Sequence, residues 1–385
     1  MIDKVLILGA DELGREYVFA AKRAGLFVIT AGNKEKEPAM QVSDERAVID
    51  LHSKKEIDDL VKKYSPDLII LAKFAVNTER FFDYEQNNIK IAPPMHVFNK
   101  ISNRKSLRDL AYKELGIPST KYETARNLDE LKEAAEHCDY PCIALPLERT
   151  DEEVRVYVKS EADLEKAWKK IGENSKVDAV FVEQDLGSKK GITLHTVTQN
   201  TGMIQFCPPV GYTLGEGEYK ESWQPAYISR GFLKDAHQYA EKILHKLDGA
   251  GLWSVYFHLD DNGVQFAGII PGPDDTGLVT LAGTQEFNEF ELELRVNMDI
   301  QIHRTELWKI GASAAILADK ETDSPRFKDL ENVGIHPNTN VELFRKPSAQ
   351  KGTRMGLVLA YDDKEKDPTE VYEIAKVAAS KVHID

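Results

Sequence analysis

The first part of the chain alternates between short apolar runs and amphipathic segments. The apolar runs of strand length lie at residues 2–8, 26–30, 46–50 and 68–71. Residues 12–24 and 54–64 instead carry apolar side chains at the spacing of a helix. Strands that alternate with helices in this way are typical of a parallel, doubly wound sheet. A helix is also predicted over 99–115, and the Gly116-Ile117-Pro118 break after it gives the first domain boundary.

From about residue 119 the pattern changes, and strands with two layers of helices indicate an α+β module. Its predicted strands lie at residues 154–158, 179–183 and 192–198, and its predicted helices at 128–138, 161–172 and 232–247. The last part of the chain has predicted helices at 286–296 and 368–381 and a predicted strand at 312–318.

Residues 252–270 are predicted to form a β-hairpin. Two apolar runs flank Asp260-Asp261-Asn262-Gly263, and Asn-Gly tolerates the positive φ angles of a type I′ turn. Period-2 alternation places Val255, Phe257 and Leu259 on one face, and Ser254, Tyr256 and His258 on the other. The same alternation places Val264, Phe266, Gly268 and Ile270 together on one face of the return strand. Neither apolar run contains an acid, a lysine or an arginine.

Composition argues against nucleic acid and membranes as partners. Fifty basic and 64 acidic residues give a net charge of −14, whereas nucleic-acid affinity comes mainly from neutralising phosphates. The three cysteines, Cys138, Cys142 and Cys207, have no metal-binding spacing and are expected to be buried, reduced thiols. Neither a signal peptide nor a membrane span is predicted, so we expect a cytoplasmic protein.

Two further features have a functional and a purely structural interpretation. The turn from Gly9 to Gly14 between a strand and a helix presents backbone N–H groups as a phosphate site does, but its spacing fits a tight turn without ligand equally well. Lys346 and Arg354 lie beside a glycine turn and a strand. They form either an anion clamp or a solvated edge.

Several segments together resemble one family. They are GADELGREYVFAAKRAG (9–25), EPAMQVS (37–43), NRKSLRDLAYKELGIPS (103–119), YPCI (140–143), GEGEYKESWQP (215–225), PDDTGLVTL (273–281) and RMGLVLA (354–360). In order and content they resemble the formate-dependent, folate-independent glycinamide ribonucleotide transformylases (PurT) of the ATP-grasp superfamily. The resemblance implies a doubly wound N-terminal domain (1–117), a two-lobed ATP-grasp domain (118–310) and a small barrel-like C-terminal domain (311–385). It also implies a homodimer that uses ATP and magnesium to make formyl phosphate and then formylates the ribonucleotide amine.

The resemblance assigns roles to six residues that this sequence retains. Glu12 and Asp275 match residues that contact the ribonucleotide, and Lys346 and Arg354 match two basic residues that hold its phosphate. Arg104 and Glu183 match residues that meet the phosphate and the adenine of ATP.

Other family positions are replaced. Tyr256 and Gly268 stand where the family has the two glutamates that bind magnesium, and Leu145 stands where it has a lysine that reaches the ATP phosphates. The loop that closes over the triphosphate is glycine-rich in the family but reads RTDEEVR at residues 149–155 here. Further family side chains are replaced at Ala72, Phe74, Gly191, Ile270, Gly272, Asp274 and Thr353.

These replacements lead to a prediction about activity. Magnesium needs oxygen ligands, and losing one electrostatic stabiliser costs about 3–4 kcal/mol in the transition state. We therefore expect a non-catalytic homologue with no catalytic residue, no bound metal and no cofactor, which binds a small phosphorylated ligand or a protein partner. One alternative is an active ATP- and magnesium-dependent formyltransferase, or a related ligase, with rearranged ligands; Asp274 and Asp275 are then the loop carboxylates available to hold a metal. Another alternative is metal-independent chemistry that uses His195 or His258.

Overall fold

The structure is a computed structural model that describes residues 2–74, 76–149, 154–174, 179–185, 191–215, 218–261 and 263–385. None of the helices in these ranges is long and apolar enough to cross a lipid bilayer.

The N-terminal region is a five-stranded parallel sheet with helices on both faces, as predicted. Its elements are β1 (Lys4–Leu8), α1 (Glu12–Arg23), β2 (Phe27–Gly32), β3 (Glu45–Val48), α2 (Lys54–Tyr64), β4 (Leu68–Leu71), α3 (Phe81–Gln86) and β5 (Lys90–Ala92). The strands lie in the order β3-β2-β1-β4-β5. Val5 and Ile7 of β1 pack into the core on one face, and Leu6 and Leu8 pack into the core on the other. A strand buried on both faces explains the uninterrupted apolar run in this part of the sequence.

The helix predicted over 99–115 is interrupted. The structure has α4 (Met95–Ser102), α5 (Arg104–Asp109) and a π-helical turn (Leu110–Glu114). Asn103 lies between the two α-helices in an extended conformation, and its side chain accepts a hydrogen bond from the amide of Ser106 at 2.8 Å. An asparagine that caps the following helix in this way begins a new helix and ends the previous one.

A small four-stranded sheet follows. Its elements are β6 (Tyr122–Ala125), α6 (Leu128–Cys138), β7 (Cys142–Pro146), β8 (Val156–Val158), α7 (Leu164–Asn174) and β9 (Val180–Gln184). The strands are antiparallel in the order β6-β9-β7-β8. Helices α6 and α7 cover one face of this sheet. The opposite face carries a small apolar cluster with Ile143, Leu145 and Phe181 at its centre.

The rest of the chain builds one large antiparallel sheet and a separate two-stranded sheet. Its elements are β10 (Gly191–Thr198), β11 (Ile204–Phe206), β12 (Val210–Gly215), β13 (Glu218–Gln224), α8 (Arg230–Leu247), β14 (Gly251–Asp260), β15 (Gly263–Pro271), α9 (Glu289–Asn297), β16 (Lys309–Leu317), β17 (Phe327–Lys328), β18 (Thr339–Leu343), β19 (Arg354–Asp363), α10 (Pro368–Ala379) and β20 (His383–Ile384). In the large sheet the order β15-β14-β10-β12-β13-β16-β19-β18 joins the hairpin to the C-terminal strands, and β17 and β20 form the two-stranded sheet. The predicted boundary at residue 310 falls inside β16.

The hairpin forms, but one of its predicted faces is wrong. Phe257 pairs with Phe266, whereas the preceding Tyr256 pairs with Gly268, so Ala267 is an extra residue in a β-bulge. The bulge shifts the alternation of β15 by one residue. Val264 and Phe266 therefore lie in the core with Phe257, and Gly268 lies on the other face with Tyr256. The turn itself includes Asn262, which lies outside the described residues.

Candidate active site

Four charged residues that are far apart in the sequence form an ion-pair cluster where the N-terminal and C-terminal regions meet. The cluster consists of Glu12 at the start of α1, Asp275 after β15, Lys346 after β18 and Arg354 at the start of β19. Lys346 Nζ lies 2.8 Å and Arg354 Nη2 lies 3.0 Å from the same oxygen, Glu12 Oε1. Arg354 Nη2 also donates to Asp275 Oδ1. The structure thus brings together all four residues that the resemblance assigns to the ribonucleotide.

The glycine turn before α1 sets the position of Glu12. Gly9 has a φ of +121°, which only glycine adopts readily, and a Cβ on Gly14 would lie 2.2 Å from the Gly9 carbonyl oxygen. Asp11 caps the helix by accepting a hydrogen bond from the Gly14 amide at 3.1 Å. The Lys73 side chain packs against Gly9. Close packing of the turn therefore accounts for both glycines without a ligand.

The electrostatics of the ion-pair cluster favour its charged form. Burial opposes ionisation of Glu12, but Arg354 and Lys346 outweigh it and lower the pKa of Glu12 to about 2. Burial likewise opposes the charge of Arg354, yet Asp275 and Glu12 raise the pKa of Arg354 above its usual value. The four charges sum to zero. Arg354 Nε is buried and has no hydrogen-bond partner among the described residues, so this guanidinium retains a donor for a ligand.

Arg104 and Glu183, the residues matched to ATP contacts, lie near a second buried arginine. Arg104 begins α5 and donates from Nε to the carbonyl of Pro146 at 3.0 Å. Glu183 pairs with Arg108, which is one turn further along α5 and also donates to the carbonyl of Phe266 at 2.7 Å. Sequence reasoning missed Arg108, although the four-residue spacing from Arg104 places both on one side of a helix. Arg108 connects α5 to the small sheet and to the hairpin.

The hairpin positions matched to magnesium ligands do not fit that ion. Tyr256 packs edge-on against Tyr212, with 5.9 Å between the ring centres. A Cβ on Gly268 would lie 3.4 Å from Arg149 Nη2, so a guanidinium group occupies the space next to this position. Ile270, beside them, offers no oxygen. Magnesium needs carboxylate, carbonyl or water oxygens at about 2.0–2.1 Å, and a neighbouring guanidinium repels it. We therefore assign no step of a reaction to a metal at these positions.

Two other replaced positions are filled by apolar or aromatic packing. Leu145, at the family's lysine position, is 1% exposed and packs with Ile143 and Phe181. A Cβ on Gly191 would lie 2.6 Å from the hydroxyl of Tyr212, which occupies the space of the missing acid. The acidic part of the loop at residues 150–153 lies outside the described residues.

The two neighbouring carboxylates after the hairpin face different partners. Asp274 Oδ1 lies 3.1 Å from His195 Nε2 on β10, whereas Asp275 pairs with Arg354. Glu289, at the start of α9, lies on the same side as His195, with 3.5 Å between Oε2 and Nε2. Burial raises the pKa of the Glu289 carboxyl well above its ordinary value, and the Asp274 carboxylate adds to this shift. Sequence reasoning missed Glu289 because a single acid in the first turn of a helix usually serves the helix itself.

Comparison with known proteins agrees with this architecture. The ATP-grasp domain family matches residues 110–290, and the family described as PurT, C-terminal, matches residues 311–382. The formate-dependent phosphoribosylglycinamide formyltransferase of Chlorobium phaeobacteroides is 41% identical and covers 100% of this chain and 99% of its own length. The protein of the same name from Bacteroides fragilis is 42% identical, with 99% of both chains covered.

The chain belongs to the PurT family of ATP-grasp proteins. Solved structures share its fold at lower identity. Glycinamide-RNase-transformylase T of Mycobacterium tuberculosis is 23% identical over 98% of both chains, with a TM-score of 0.75. Carboxyaminoimidazole ribonucleotide synthase of Aspergillus clavatus, complexed with ATP, is 20% identical over 99% of both chains, with a TM-score of 0.85.

Membership of this family corrects the expectation that no cofactor is needed. That expectation is wrong because the ATP-grasp match spans most of the middle of the chain and the named relatives cover its full length. The described residues bring the guanidinium groups of Arg104 and Arg149 to the region between the small sheet and the hairpin, where the charge of Arg108 is paired with that of Glu183. Positive charge of this kind suits the polyphosphate of a nucleotide.

Proposed function

We propose that this protein catalyses the ATP- and formate-dependent formylation of an amine on a phosphorylated ribonucleotide, as the names of its relatives describe. The full-length match to the named formyltransferases supports the reaction, and the observation that carries ribonucleotide recognition is the ion-pair cluster of Glu12, Asp275, Lys346 and Arg354. Two cations and two carboxylates converge there from three separate regions of the chain. Such a cluster recognises a ligand that has both an anionic phosphate and hydrogen-bond donors.

In this proposal, ATP supplies the phosphoryl group that activates formate. Lys346 and Arg354 hold the ribonucleotide phosphate, and the buried Nε of Arg354 gains the acceptor that it lacks among the described residues. Glu12, which is ionised because its pKa is lowered to about 2, accepts hydrogen bonds from the same ligand. Asp275 orients Arg354 through their ion pair. Each of these residues binds or orients the substrate, and none of them takes part in proton transfer.

A second candidate function is binding of the ribonucleotide without turnover. The observation that favours it is the hairpin, where Tyr256, Gly268 and Ile270 provide no carboxylate. The two candidates share the ion-pair cluster and differ in phosphoryl transfer, so binding and turnover must be measured separately.

Calorimetry with glycinamide ribonucleotide tests the shared part of both candidates. Lys346→Gln removes one cation from the cluster and is expected to weaken binding by about tenfold or more, since charged hydrogen bonds contribute about 1.5–3 kcal/mol. Lys351→Gln removes an exposed lysine five positions further along the chain and serves as the matched control, with unchanged affinity. Equal affinities for wild type and Lys346→Gln would contradict the assignment of the cluster. ADP release in the presence of formate then distinguishes turnover from binding alone.

We also propose that the protein is a homodimer in the cytoplasm. Family membership supports the dimer, and light scattering of the purified chain tests it. Three buried free thiols, those of Cys138, Cys142 and Cys207, support a reducing compartment.

A further inference from the structure

Three buried side chains from separate elements converge beside the ion-pair cluster but do not belong to it. They are His195 on β10, Asp274 after β15 and Glu289 at the start of α9, and each is at most 4% exposed. His195 Nε2 lies 3.1 Å from Asp274 Oδ1 and 3.5 Å from Glu289 Oε2. One ligand atom from each of the three residues lies within 4.8 Å of the others. We refer to these three residues as the buried triad.

Hydrogen bonds within the described residues do not satisfy the triad. His195 Nδ1, Asp274 Oδ2 and Glu289 Oε1 are all buried and have no partner there. A buried polar atom without a partner costs about 1–3 kcal/mol, so one such atom on each of three contacting side chains is unusual in a folded core. The distance of 3.5 Å from the imidazole to Glu289 is also too long for a good hydrogen bond.

The same distances suit the ligands of one cation. Two ligand atoms bound to a tetrahedral ion at about 2.0–2.1 Å lie about 3.3 Å apart. The measured separations of 3.1 Å and 3.5 Å lie on either side of this value. An imidazole with two carboxylates is a donor set that zinc and other first-row transition ions accept, whereas magnesium prefers oxygen alone.

The backbone around the triad is arranged so that these side chains can approach one another. A Cβ on Gly277 would lie 2.0 Å from Glu289 Oε2 and 2.7 Å from His195 Nε2, so only glycine leaves room for them. Asp274 is held by the Gly277 amide at 3.2 Å and by the Thr276 hydroxyl at 2.9 Å. Fixed carboxylates of this kind reduce the entropy that an ion must overcome when it binds.

The triad also lies close to the replaced hairpin positions. His195 pairs with Ser254, and two residues along the same strand Thr193 pairs with Tyr256, which pairs with Gly268. Paired residues share a face of the sheet, and residues two positions apart on a strand are separated by about 7 Å. His195 therefore lies about 7 Å from the row of paired residues that contains Tyr256 and Gly268. The triad thus provides carboxylate and imidazole ligands on the same face of the sheet as Tyr256 and Gly268, in the adjacent row of paired residues.

We propose that His195, Asp274 and Glu289 bind one divalent transition-metal ion, for which Zn²⁺ is the probe. The ion neutralises the charges of both carboxylates. It also fixes the conformation of the loop that contains Asp274 and Asp275. The evidence for this site does not rest on the proposed reaction, because no hydrogen bond or ion pair among the described residues joins its ligands to Lys346 or Arg354.

Metal binding to the full chain tests this proposal without any substrate. Protein freed of metal with a chelator is titrated with Zn²⁺ alone in a calorimeter and with Co²⁺ alone in a spectrophotometer. We expect one equivalent of each ion to bind, a visible Co²⁺ absorption band typical of a low coordination number, and no displacement of Zn²⁺ by an excess of Mg²⁺.

Matched variants locate the site. Glu289→Gln and His195→Gln are expected to weaken Zn²⁺ binding at least 10–100-fold, because even residues that only support a ligand contribute about that much. Glu293→Gln changes another fully buried acid one turn further along α9, and His258→Gln changes another histidine on the same sheet face, so both are expected to bind normally. A wild-type protein that binds no Zn²⁺, or four variants that all bind like wild type, would overturn the proposal. The wild-type Co²⁺ spectrum decides the question even if a variant fails to fold.

Discussion

The carboxyl group of Glu293 makes the stability of this protein depend on pH near neutrality. Glu293 is buried in α9, where its Oε2 accepts a hydrogen bond from the amide of Leu252 and its Oε1 accepts one from Asn297 at 3.1 Å. Burial raises its pKa from 4.5 to about 7, and the two hydrogen bonds offset only part of this shift. The folded protein therefore keeps this proton up to about pH 7, whereas the unfolded chain loses it near pH 4.5.

The sign and size of the effect follow from proton linkage. Between these two pH values the unfolded state binds fewer protons at Glu293 than the folded state does. The contribution of Glu293 to the free energy of unfolding therefore decreases as the pH rises and becomes constant above about pH 7. A pKa difference of this size corresponds to about 3 kcal/mol. Glu293→Gln has no proton to lose but weakens the contact with Asn297, which costs about 1 kcal/mol. The variant should therefore be more stable than wild type by about 2 kcal/mol at pH 8, and slightly less stable at pH 5.

Urea unfolding followed by circular dichroism at several pH values measures this difference. Glu16, whose pKa burial raises to about 7, titrates in the same range, so the variant should retain part of the wild-type slope. Glu136→Gln changes an exposed acid on α6 and is the control, with a profile parallel to wild type. If Glu293→Gln also gave a profile parallel to wild type between pH 5 and pH 8, the reasoning would be refuted.

Three further predictions concern residues of the site and its surroundings. Leu145→Lys, which restores the family residue, is expected to destabilise the protein by about 2–4 kcal/mol because it places an ammonium group among Ile143 and Phe181, and thermal denaturation measures the loss; an unchanged melting temperature would contradict it. Combining Leu145→Lys with Tyr256→Glu and Gly268→Glu is expected to leave ADP release no higher than in wild type, because the new carboxylate at position 268 pairs with Arg149; a clear increase would contradict that pairing. Gly277→Ala is expected to lower stability by about 2 kcal/mol or more because its Cβ would overlap Glu289, whereas Gly231→Ala, in open space on α8, is the control and should have little effect.

The apolar pattern of the sequence identified most helices and strands because the positions that each element buries appear as a continuous run or as a regular repeat. The helices at Lys54–Tyr64 and Leu128–Cys138 begin and end where the pattern predicts. The return strand of the hairpin was predicted wrongly because the bulge at Ala267 leaves no mark in an apolar sequence, and one extra residue exchanges the two faces.

The sequence predicted part of the site. The residues that it missed are close to one another only in the folded chain. The resemblance selected Glu12, Asp275, Lys346 and Arg354, and the structure places all four in contact. Neither Arg149 next to Gly268 nor Glu289 next to His195 has a sequence signal, because each pair joins elements that meet only in the folded chain. The expectation of no cofactor gave too much weight to the replaced carboxylates and too little to the retained fold.

Transfer of labelled formate is the most direct test of the proposed activity. The wild-type chain is incubated with ATP, labelled formate and glycinamide ribonucleotide, and the label in the ribonucleotide product is counted. We expect ATP-dependent incorporation over many turnovers, and a strong decrease in Lys346→Gln but not in Lys351→Gln. Tight binding of the ribonucleotide with no incorporation of label would contradict the proposed activity and establish a binding protein instead.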